Sequence, residues 1–592
     1  MLLTKHFRKY YLKYSLFFIL GATVLVLVDW YQLDIPRLVG GIIDALKSEN
    51  PDETLIRDSI YRIGVLAFGI TLGRFLWRYT IFGASRRIEF HLRNTMFGHA
   101  TKLQQSFYSQ EKVGGLMTYF INDLEAVRMS FGPGILMLVD GLTLGGFALY
   151  RMARLNRELT LYAAIPMLIL TIALVFIRKK ITARFKERQD AFEKLSDFTQ
   201  ENFSGITVIK AFVREMKEAM FFSRKNLVLY DKNISFVKFI IVINIAIGIA
   251  LNAVIMLIVA YGSFLVINID QTGFTTGQLT EYIAYFFSLI WPTMALSQFI
   301  NIQSQAKASA IRIEKFLNTE VEVKDQEGAI VKEDLKGTLK VKNLTFKYPD
   351  GDQPVLKNVS FDIKAGEMVG ILGRTGSGKS SLVDLFLRTY NLEKDQIFLD
   401  GYDIMDLSIK SVRHTMGYVP QDNFLFSDTI TNNIGFSMDE PKESDVIEPA
   451  KLSDVYENIM EFKDQFETIL GERGVTVSGG QKQRISIARA LAKDPEILIL
   501  DDSVSAVDTK TEEAIIKNLH KIRKGRTTIF IAHRISTVKK MDKIILLDQG
   551  ELVAIGSHKE LMKTSPLYQD MVRRQQLENL VQGGDLNEGL QG

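Results

Sequence analysis

The chain has 592 residues, too many for one ordinary domain of roughly 100–200 residues, so about three or four units are expected. Its 72 Lys plus Arg against 68 Asp plus Glu leave a formal +4, which gives no global reason to expect a nucleic-acid partner. An apolar share of 47 % with 24 % charged excludes a disordered chain, and the absence of cysteine excludes a disulfide framework, thiol catalysis and Cys-ligated metals.

The average hides a division near residue 317, before which long uncharged stretches occur and after which none is comparable. Lys5, Arg8, Lys9 and Lys13 precede the apolar run Tyr14–Val28, which is long enough to cross a bilayer only if the helix carries on through Asp29 toward Leu46. Asp29 and Trp30 follow the run with no small-residue cleavage site, so a retained helix is expected rather than a signal peptide. Ile63–Gly73 runs into Arg74 and Arg78, and Met129–Tyr150 is broken at Asp140. Leu159–Ile177, Phe239–Ile269 and Tyr282–Ala306 complete about six spans, with Pro292 placed to kink the last.

The basic residues before the first span and the cluster Arg178, Lys179, Lys180, Arg184, Lys186 and Arg188 after the fourth place both segments on the cytoplasmic side. Ser48–Thr54 and Asn268–Gly277 carry no Lys or Arg and suit the outer side, whereas Arg151, Arg154 and Arg157 are discordant. Helix-forming polar stretches such as Arg184–Glu218 are too long for loops, and read either as solvated stalks or as mechanical connections. Ionisable residues inside spans are costly and default to function. Asp29, Asp140 and Glu281 are therefore candidate contacts for cationic substrates, with Phe286, Phe287 and Trp291 as aromatic surface. The alternative is structural pairing of the acids with Arg74 and Arg78, and of the rings with neighbouring helices.

From Gly337 the chain turns soluble and alternating. Val341–Tyr348 and Val359–Ile363 read as strands, Glu367–Leu372 as a buried strand and Lys379–Leu387 as a helix, the start of an α/β domain. Between that strand and helix, Gly373, Arg374, Thr375, Gly376, Ser377, Gly378, Lys379 and Ser380 fit the phosphate-loop pattern without a mismatch, followed by Ser381. Glycines let backbone N–H groups converge on phosphate oxygens, the helix N-terminus adds positive charge, Lys379 reaches the β/γ-phosphates and Ser380 offers a hydroxyl to Mg²⁺. Downstream, Ile497–Leu500 delivers Asp501 to the metal as a Walker B aspartate, with Asp502 after it. Together these motifs indicate an ATP- and Mg²⁺-using phosphate-loop nucleotidase.

Val477-Ser478-Gly479-Gly480-Gln481 before Lys482-Gln483-Arg484 resembles the signature of ATP-binding cassette (ABC) proteins. Tyr348, Gln421, Asp508 and His533 stand where that family has its adenine-stacking aromatic, its metal- and water-contacting glutamine, its D-loop and its γ-phosphate histidine. From about Lys5 to Arg574 the chain is similar to ABC exporters with a six-helix membrane domain fused before one cassette. Phe107-Tyr108, Gly114 and Asn122-Asp123 look like the first cytoplasmic loop of that family, though Gly115 stands where an acid is usual, and Gln200–Glu215 looks like the second. Glu467 and Thr468, before Gly471–Gly474, look like the cassette segment that touches such loops, which tips the stalks toward coupling. The expected division is a membrane domain over 1–317, a linker over 318–336, a cassette over 337–574 and a polar, mobile tail over 575–592.

The resemblance implies half a machine, because Ser478, Gly479, Gly480 and Gln481 would serve ATP held by a second cassette. It also exposes a departure: Asp502 stands where the family ordinarily has Glu. One methylene less is about 1.5 Å of reach, so ATP should bind well at this chain's phosphate loop and be hydrolysed slowly. A heterodimer with a homologous half-transporter that carries the Glu is expected, the alternative being a homodimer in which Asp502 works. The leading expectation is export of amphipathic or drug-like compounds across a bacterial plasma membrane, with N-terminus and cassette cytoplasmic, lipids around it and no nucleic-acid partner. The first span begins almost at once, with no peptidase-like domain ahead of it. Lipid or lipopeptide flipping is the near alternative, and an ATP-binding sensor that does not pump is the distant one. ATP-dependent dye uptake into inverted vesicles separates pump from sensor.

Overall fold

In a bilayer every backbone polar group must be satisfied within the protein, so apolar stretches of this length fold as helices. The computed structural model describes residues 5–49, 51–111, 113–471, 474, 476–503 and 509–581. Among them, five helical stretches are long and apolar enough to cross a membrane: Ser15–Lys47, Glu53–Ala100, Gly114–Leu155, Glu215–Ile267 and Thr276–Leu317. The fourth expected span lies inside the 48-residue helix Arg157–Ser204. The first run does carry on through Asp29, as a 33-residue stretch. The 53-residue helix Glu215–Ile267 is about 80 Å long at 1.5 Å per residue, over twice the ~30 Å hydrocarbon thickness. The polar stretch Arg184–Glu218 is thus mostly helical, with breaks only at Gly205 and over 212–214, as its composition requires.

Two stretches are broken, and each break has a proline behind it. The helix Ser15–Gln32 stops at Leu33 before Asp34–Lys47, and Thr276–Ser288 stops at Leu289 before Ile290–Leu317. Pro36 and Pro292 lack the N–H that the carbonyls of Gln32 and Ser288 would take in a continuous helix. Tyr285 joins the two breaks, its hydroxyl lying 2.9 Å from the Leu33 carbonyl and 2.7 Å from the Glu281 carboxyl. Further along, Asp34–Lys47 and Thr276–Ser288 cross at Gly40 and Gly277, where a Cβ on Gly277 would lie 2.0 Å from the Gly40 carbonyl oxygen. Asp44 fixes this crossing by accepting from the Gly277 N–H at 2.7 Å and the Thr275 hydroxyl at 2.6 Å. Tyr282, Tyr285 and Phe286 fill the core beside Leu144, Ala148 and Ile258.

The chain forms two compact units, one of residues 1–98 and 114–318, the other of 99–113 and 319–592. The second unit therefore includes Phe107-Tyr108 of the expected first cytoplasmic loop, in the short helix Gln105–Gln110, whereas Gly114 and Asn122-Asp123 belong to the first; within the second unit Gln104 Oε1 accepts from the Glu322 N–H at 3.3 Å. Its strands are β1 (Leu339–Phe346), β2 (Leu356–Ile363), β3 (Met368–Gly373), β4 (Ile397–Leu399), β5 (Tyr402–Asp403), β6 (Met416–Val419), β7 (Ile497–Asp501), β8 (Thr527–Ala532), β9 (Lys543–Asp548) and β10 (Glu551–Gly556). They form an antiparallel sheet in the order β2-β1-β4-β5 and a six-stranded sheet in the order β10-β9-β3-β8-β7-β6. The second sheet is parallel except for β10. Every residue of β3, β7 and β8 is buried, as continuous apolar strands in a parallel sheet covered on both faces must be. A helical subdomain around Ile430, Phe466, Leu470 and Ile485 has a core of its own and carries the signature helix. The final helix Pro566–Val581 runs seven residues into the stretch expected as tail.

Candidate nucleotide site and membrane polar cluster

Because β3, β8, β7 and β6 are adjacent and parallel, their C-terminal ends share one edge of the sheet, where open α/β sheets bind ligands. From those ends hang, in order, the phosphate loop, His533, Asp501 with Asp502, and Gln421. Register fixes the level, since Leu372 pairs with Ala532, Asp501 with Ile531 and Val419 with Leu500. At ~4.8 Å per strand the edge spans about 14 Å.

The phosphate loop leaves β3 at Gly373 and enters the helix Lys379–Phe386. Gly376 and Gly378 have φ of +80° and +93°, values side chains resist, and a Cβ on Gly378 would also meet Leu356 at 2.7 Å. Arg374, Thr375 and Gly376 are exposed at its rim, with Arg374 3.9 Å from Asp570, while Ser377 is buried beneath. Lys379 folds across the loop, donating to the carbonyls of Gly373 and Arg374, both at 2.9 Å. Burial depresses its pKa, and the charges of Asp501 and Asp502 oppose that shift. Asp501 is held above the usual carboxylate range, chiefly by burial and also by the charge of Asp502, against the Ser380 hydroxyl bond, Lys379 and His533. Ser380 and Asp501, two of the three expected Mg²⁺ ligands, are thus brought together.

Gln421 lies exposed just past β6, on the strand neighbouring β7, where its backbone carbonyl accepts from Asn423. His533 is exposed one residue past β8. The Tyr348 ring packs edge-on against Phe346 and Tyr390, and its hydroxyl is 2.9 Å from the Ser381 hydroxyl, which ties it to the phosphate-loop helix. Ser478 caps the helix Gly479–Ala492 in a reciprocal box: its hydroxyl accepts from the Gln481 N–H at 3.2 Å and its N–H donates to the Gln481 side chain at 2.9 Å. Both side chains are at least partly exposed, and a Cβ on Gly479 would meet nothing within 4 Å. Asp508, together with Glu472 and Arg473, lies outside the described residues.

Asp502 is pinned. It has φ +46°, its N–H donates to the Ile531 carbonyl at 2.9 Å, and its carbonyl accepts from Gln483 Nε2 at 3.1 Å. Gln483 is a residue whose role sequence reasoning missed, although it sits within the quoted Lys482-Gln483-Arg484. Gln575 is another: its side chain accepts from the Ile535 N–H at 2.5 Å, two residues past His533, and nothing in its polar surroundings signalled this. Glycine geometry, a lysine, and a paired hydroxyl and carboxylate fit Mg²⁺ with ATP.

In the membrane unit Asp29 is 2 % and Asp140 8 % exposed, and their carboxyls lie against one another. Thr143 donates to Asp29 and the Trp291 indole N–H to Asp140. Arg74 does not form an ion pair with these acids but donates to Gln32 at 2.8 Å, and Arg78 lies over the Trp77 ring. Glu281 is buried apart from them, against Tyr285. The expectation for Phe286 needs correction: at 1 % exposure it is core packing, not aromatic surface, because the helix Thr276–Ser288 turns it toward Leu144 and Ala148. Phe287 and Trp291 are about half exposed.

A helical membrane unit followed by a cassette with these site residues on one sheet edge defines a membrane-bound ATPase of the phosphate-loop class. Residues 18–293 match the family described as ABC transporter transmembrane region and residues 356–505 that described as ABC transporter. The chain belongs to the ABC transporters, as a half-transporter with an N-terminal transmembrane domain and a C-terminal ATP-binding cassette. It is 34 % identical over 583 residues, 98 % of each chain, to the probable multidrug resistance ABC transporter ATP-binding/permease protein YheI of Bacillus subtilis. It is 36 % identical over 578 residues to the multidrug resistance-like ATP-binding protein MdlA of Escherichia coli, covering 97 % of this chain and 96 % of that one. Its fold is similar to that of a bacterial Atm1-family ABC exporter with ATP bound, with a TM-score of 0.74 and 25 % identity over 98 % of this chain and 99 % of the other.

Proposed function

We propose that the chain is one half of an exporter that uses ATP to move amphipathic, drug-like compounds across a bacterial plasma membrane by alternating access, paired with a non-identical half-transporter. The observation that carries the pairing is at the signature. Ser478 and Gly479 open a 14-residue helix at the surface, and among the described residues nothing lies within 4 Å of a Cβ placed on Gly479. A glycine free of internal packing suits close approach by an outside phosphate. The second cytoplasmic loop agrees: Phe212 and Val213 are 74 % and 84 % exposed at the tip between the long helices, an apolar tip that suits docking against another chain.

ATP with Mg²⁺ supplies the phosphoryl group and its leaving group. Within this chain, Lys379, now on the Gly373 and Arg374 carbonyls, would turn to phosphate oxygens, and Ser380, Asp501 and Gln421 would hold the metal. Tyr348 offers its face to adenine, with Arg374, Thr375, Gly376, Ser377, Gly378 and Ser381 completing the cradle. Asp502 orients water and His533 steadies the γ-phosphate. The pinned backbone at Asp502 supports a slow site, because the missing methylene cannot be recovered by a shift of the main chain. In the membrane, Asp29, Asp140 and Trp291 form a polar cluster suited to a cationic substrate.

Tagged protein purified from its native membrane in mild detergent, with all chains identified by intact mass, tests the pairing. A second half-transporter in equal amount is expected. Recovery of this chain alone as a dimer refutes the heterodimer and makes Asp502 the working base. ATP-dependent uptake of a cationic dye into inverted vesicles, lost in Asp140→Asn, tests the substrate class.

A further inference from the structure

Two clefts between the first two membrane stretches run into one another. One, of about 510 Å³, lies between Asp34–Lys47 and Glu53–Trp77 and is lined by Ser59, Tyr61, Arg62 and Arg37. Val65 and Leu66 also line the second, of about 410 Å³, which continues over Val24, Val28, Gly69 and Leu76 and is walled by apolar side chains.

The lining of the polar part carries two arginines against one acid, with the buried Glu281 carboxyl also within the field of Arg37. Asp34 already forms a 2.7 Å ion pair with Arg151. Arg37 and Arg62 are exposed and have no hydrogen-bond or ion-pair partner among the described residues. Counted along their helices, Arg37 lies about 15 Å from Lys47 and Arg62 about 14 Å from Glu53, so the two residues stand at about one level and both line the same cleft. Below them the apolar part runs from Val65 to Leu76, about 16 Å of helix, which matches half of a ~30 Å hydrocarbon core. Guanidinium groups favour bidentate pairing with phosphate, and unpaired charge in a span demands a counter-ion.

We propose that this groove holds one anionic phospholipid from the leaflet nearer Lys47 and Glu53, its phosphate between Arg37 and Arg62 and one acyl chain along Val65–Leu76. The site is separate from the Asp29–Asp140 cluster, whose charge is of the opposite sign, and it does not depend on which compound is exported. Arg37 and Arg62 set the preference for an anionic headgroup, and the apolar track sets the chain length.

The chain contains no cysteine, so Gly69→Cys accepts a single photoreactive label, and a Cβ there meets nothing within 4 Å. In nanodiscs of phosphatidylglycerol and phosphatidylcholine, the labelled protein is irradiated and its adducts weighed. Phosphatidylglycerol adducts enriched on the order of tenfold over their share of the bilayer are expected, falling to that share in Arg37→Gln/Arg62→Gln. Adducts that follow bilayer composition from the start overturn the proposal, as does a cross-link to a second protein chain, which would make the groove a subunit contact. Gly69→Leu fills the track without a clash at its Cβ, and by native mass spectrometry it is expected to lose the phosphatidylglycerol that the unsubstituted protein retains. Equal retention also overturns the proposal, with unchanged thermal unfolding as the control for folding.

Discussion

Asp502→Glu restores the missing methylene at a position where the main chain has no freedom to compensate. Bringing the carboxylate forward by the missing ~1.5 Å would require the Asp502 N–H to leave the Ile531 carbonyl, now at 2.9 Å. Leaving such a group unpaired costs about 1–3 kcal/mol. The shortfall therefore stays at the water, where a misplacement of about 1 Å costs on the order of 100-fold. Against that gain stands a backbone penalty, because φ is +46° and aspartate tolerates the left-handed region better than glutamate does. The expected result is a 10- to 100-fold faster turnover at this chain's own site, about 1.4–2.7 kcal/mol of barrier, with a small loss of thermal stability. The assay is ATP hydrolysis by the assembled transporter in nanodiscs, with labelled nucleotide trapped on this chain to assign the site. An unchanged rate in Asp502→Glu, or Asp502→Ala as active as the unsubstituted protein, refutes the reasoning.

Gly479→Asp is expected to leave the melting temperature nearly unchanged, since a Cβ there meets nothing within 4 Å among the described residues, yet to lower ATP turnover by the assembly at least tenfold; differential scanning fluorimetry and phosphate release read the two separately. Gly277→Ala forces a Cβ to 2.0 Å from the Gly40 carbonyl oxygen and is expected to cost about 1–3 kcal/mol, read as a lowered unfolding temperature in detergent. The charge of Asp502 helps to hold the Asp501 carboxyl above its ordinary range, so Mg²⁺-dependent nucleotide binding should fade in mild acid as Asp501 gains its proton. Asp502→Asn removes that contribution, and the acid midpoint of nucleotide binding, followed by fluorescence titration, should move to lower pH. Gln575→Ala should slow turnover with little change in the KM for ATP, and Gln575→Glu, which still accepts from Ile535, should retain activity.

The phosphate loop, the Asp501 strand and the signature were legible because each needs a fixed string of residues, and a parallel sheet then has only one edge on which to gather them. The spans were legible from hydropathy, including the weak ones interrupted at Arg74 and Asp140. Pro292 pointed to a kink in the last stretch, but Pro36 was not read the same way although it sits equally close to a break. Contacts that depend on which helix faces which were not legible. Gly40 meeting Gly277, and Arg37 level with Arg62, join residues far apart in sequence through crossing geometry that composition does not encode. Phe286 shows the same limit, since helical periodicity placed it beside Phe287 and could not say which ring turned inward. The φ of Asp502 was equally hidden, and it is what turns a short side chain into a fixed deficit.

The phenol of Tyr285 reaches from one broken stretch to the backbone of the other. Where no water is at hand, a polar contact that breaks is not replaced, so a change of the bend at Leu33 on its own forfeits the bond to Tyr285. The two interrupted helices are in this sense geared: a swing of the last one carries the first with it, or else the membrane interior must let water in at their junction. Tyr285→Phe uncouples the gear while leaving both prolines, and the bends they impose, in place.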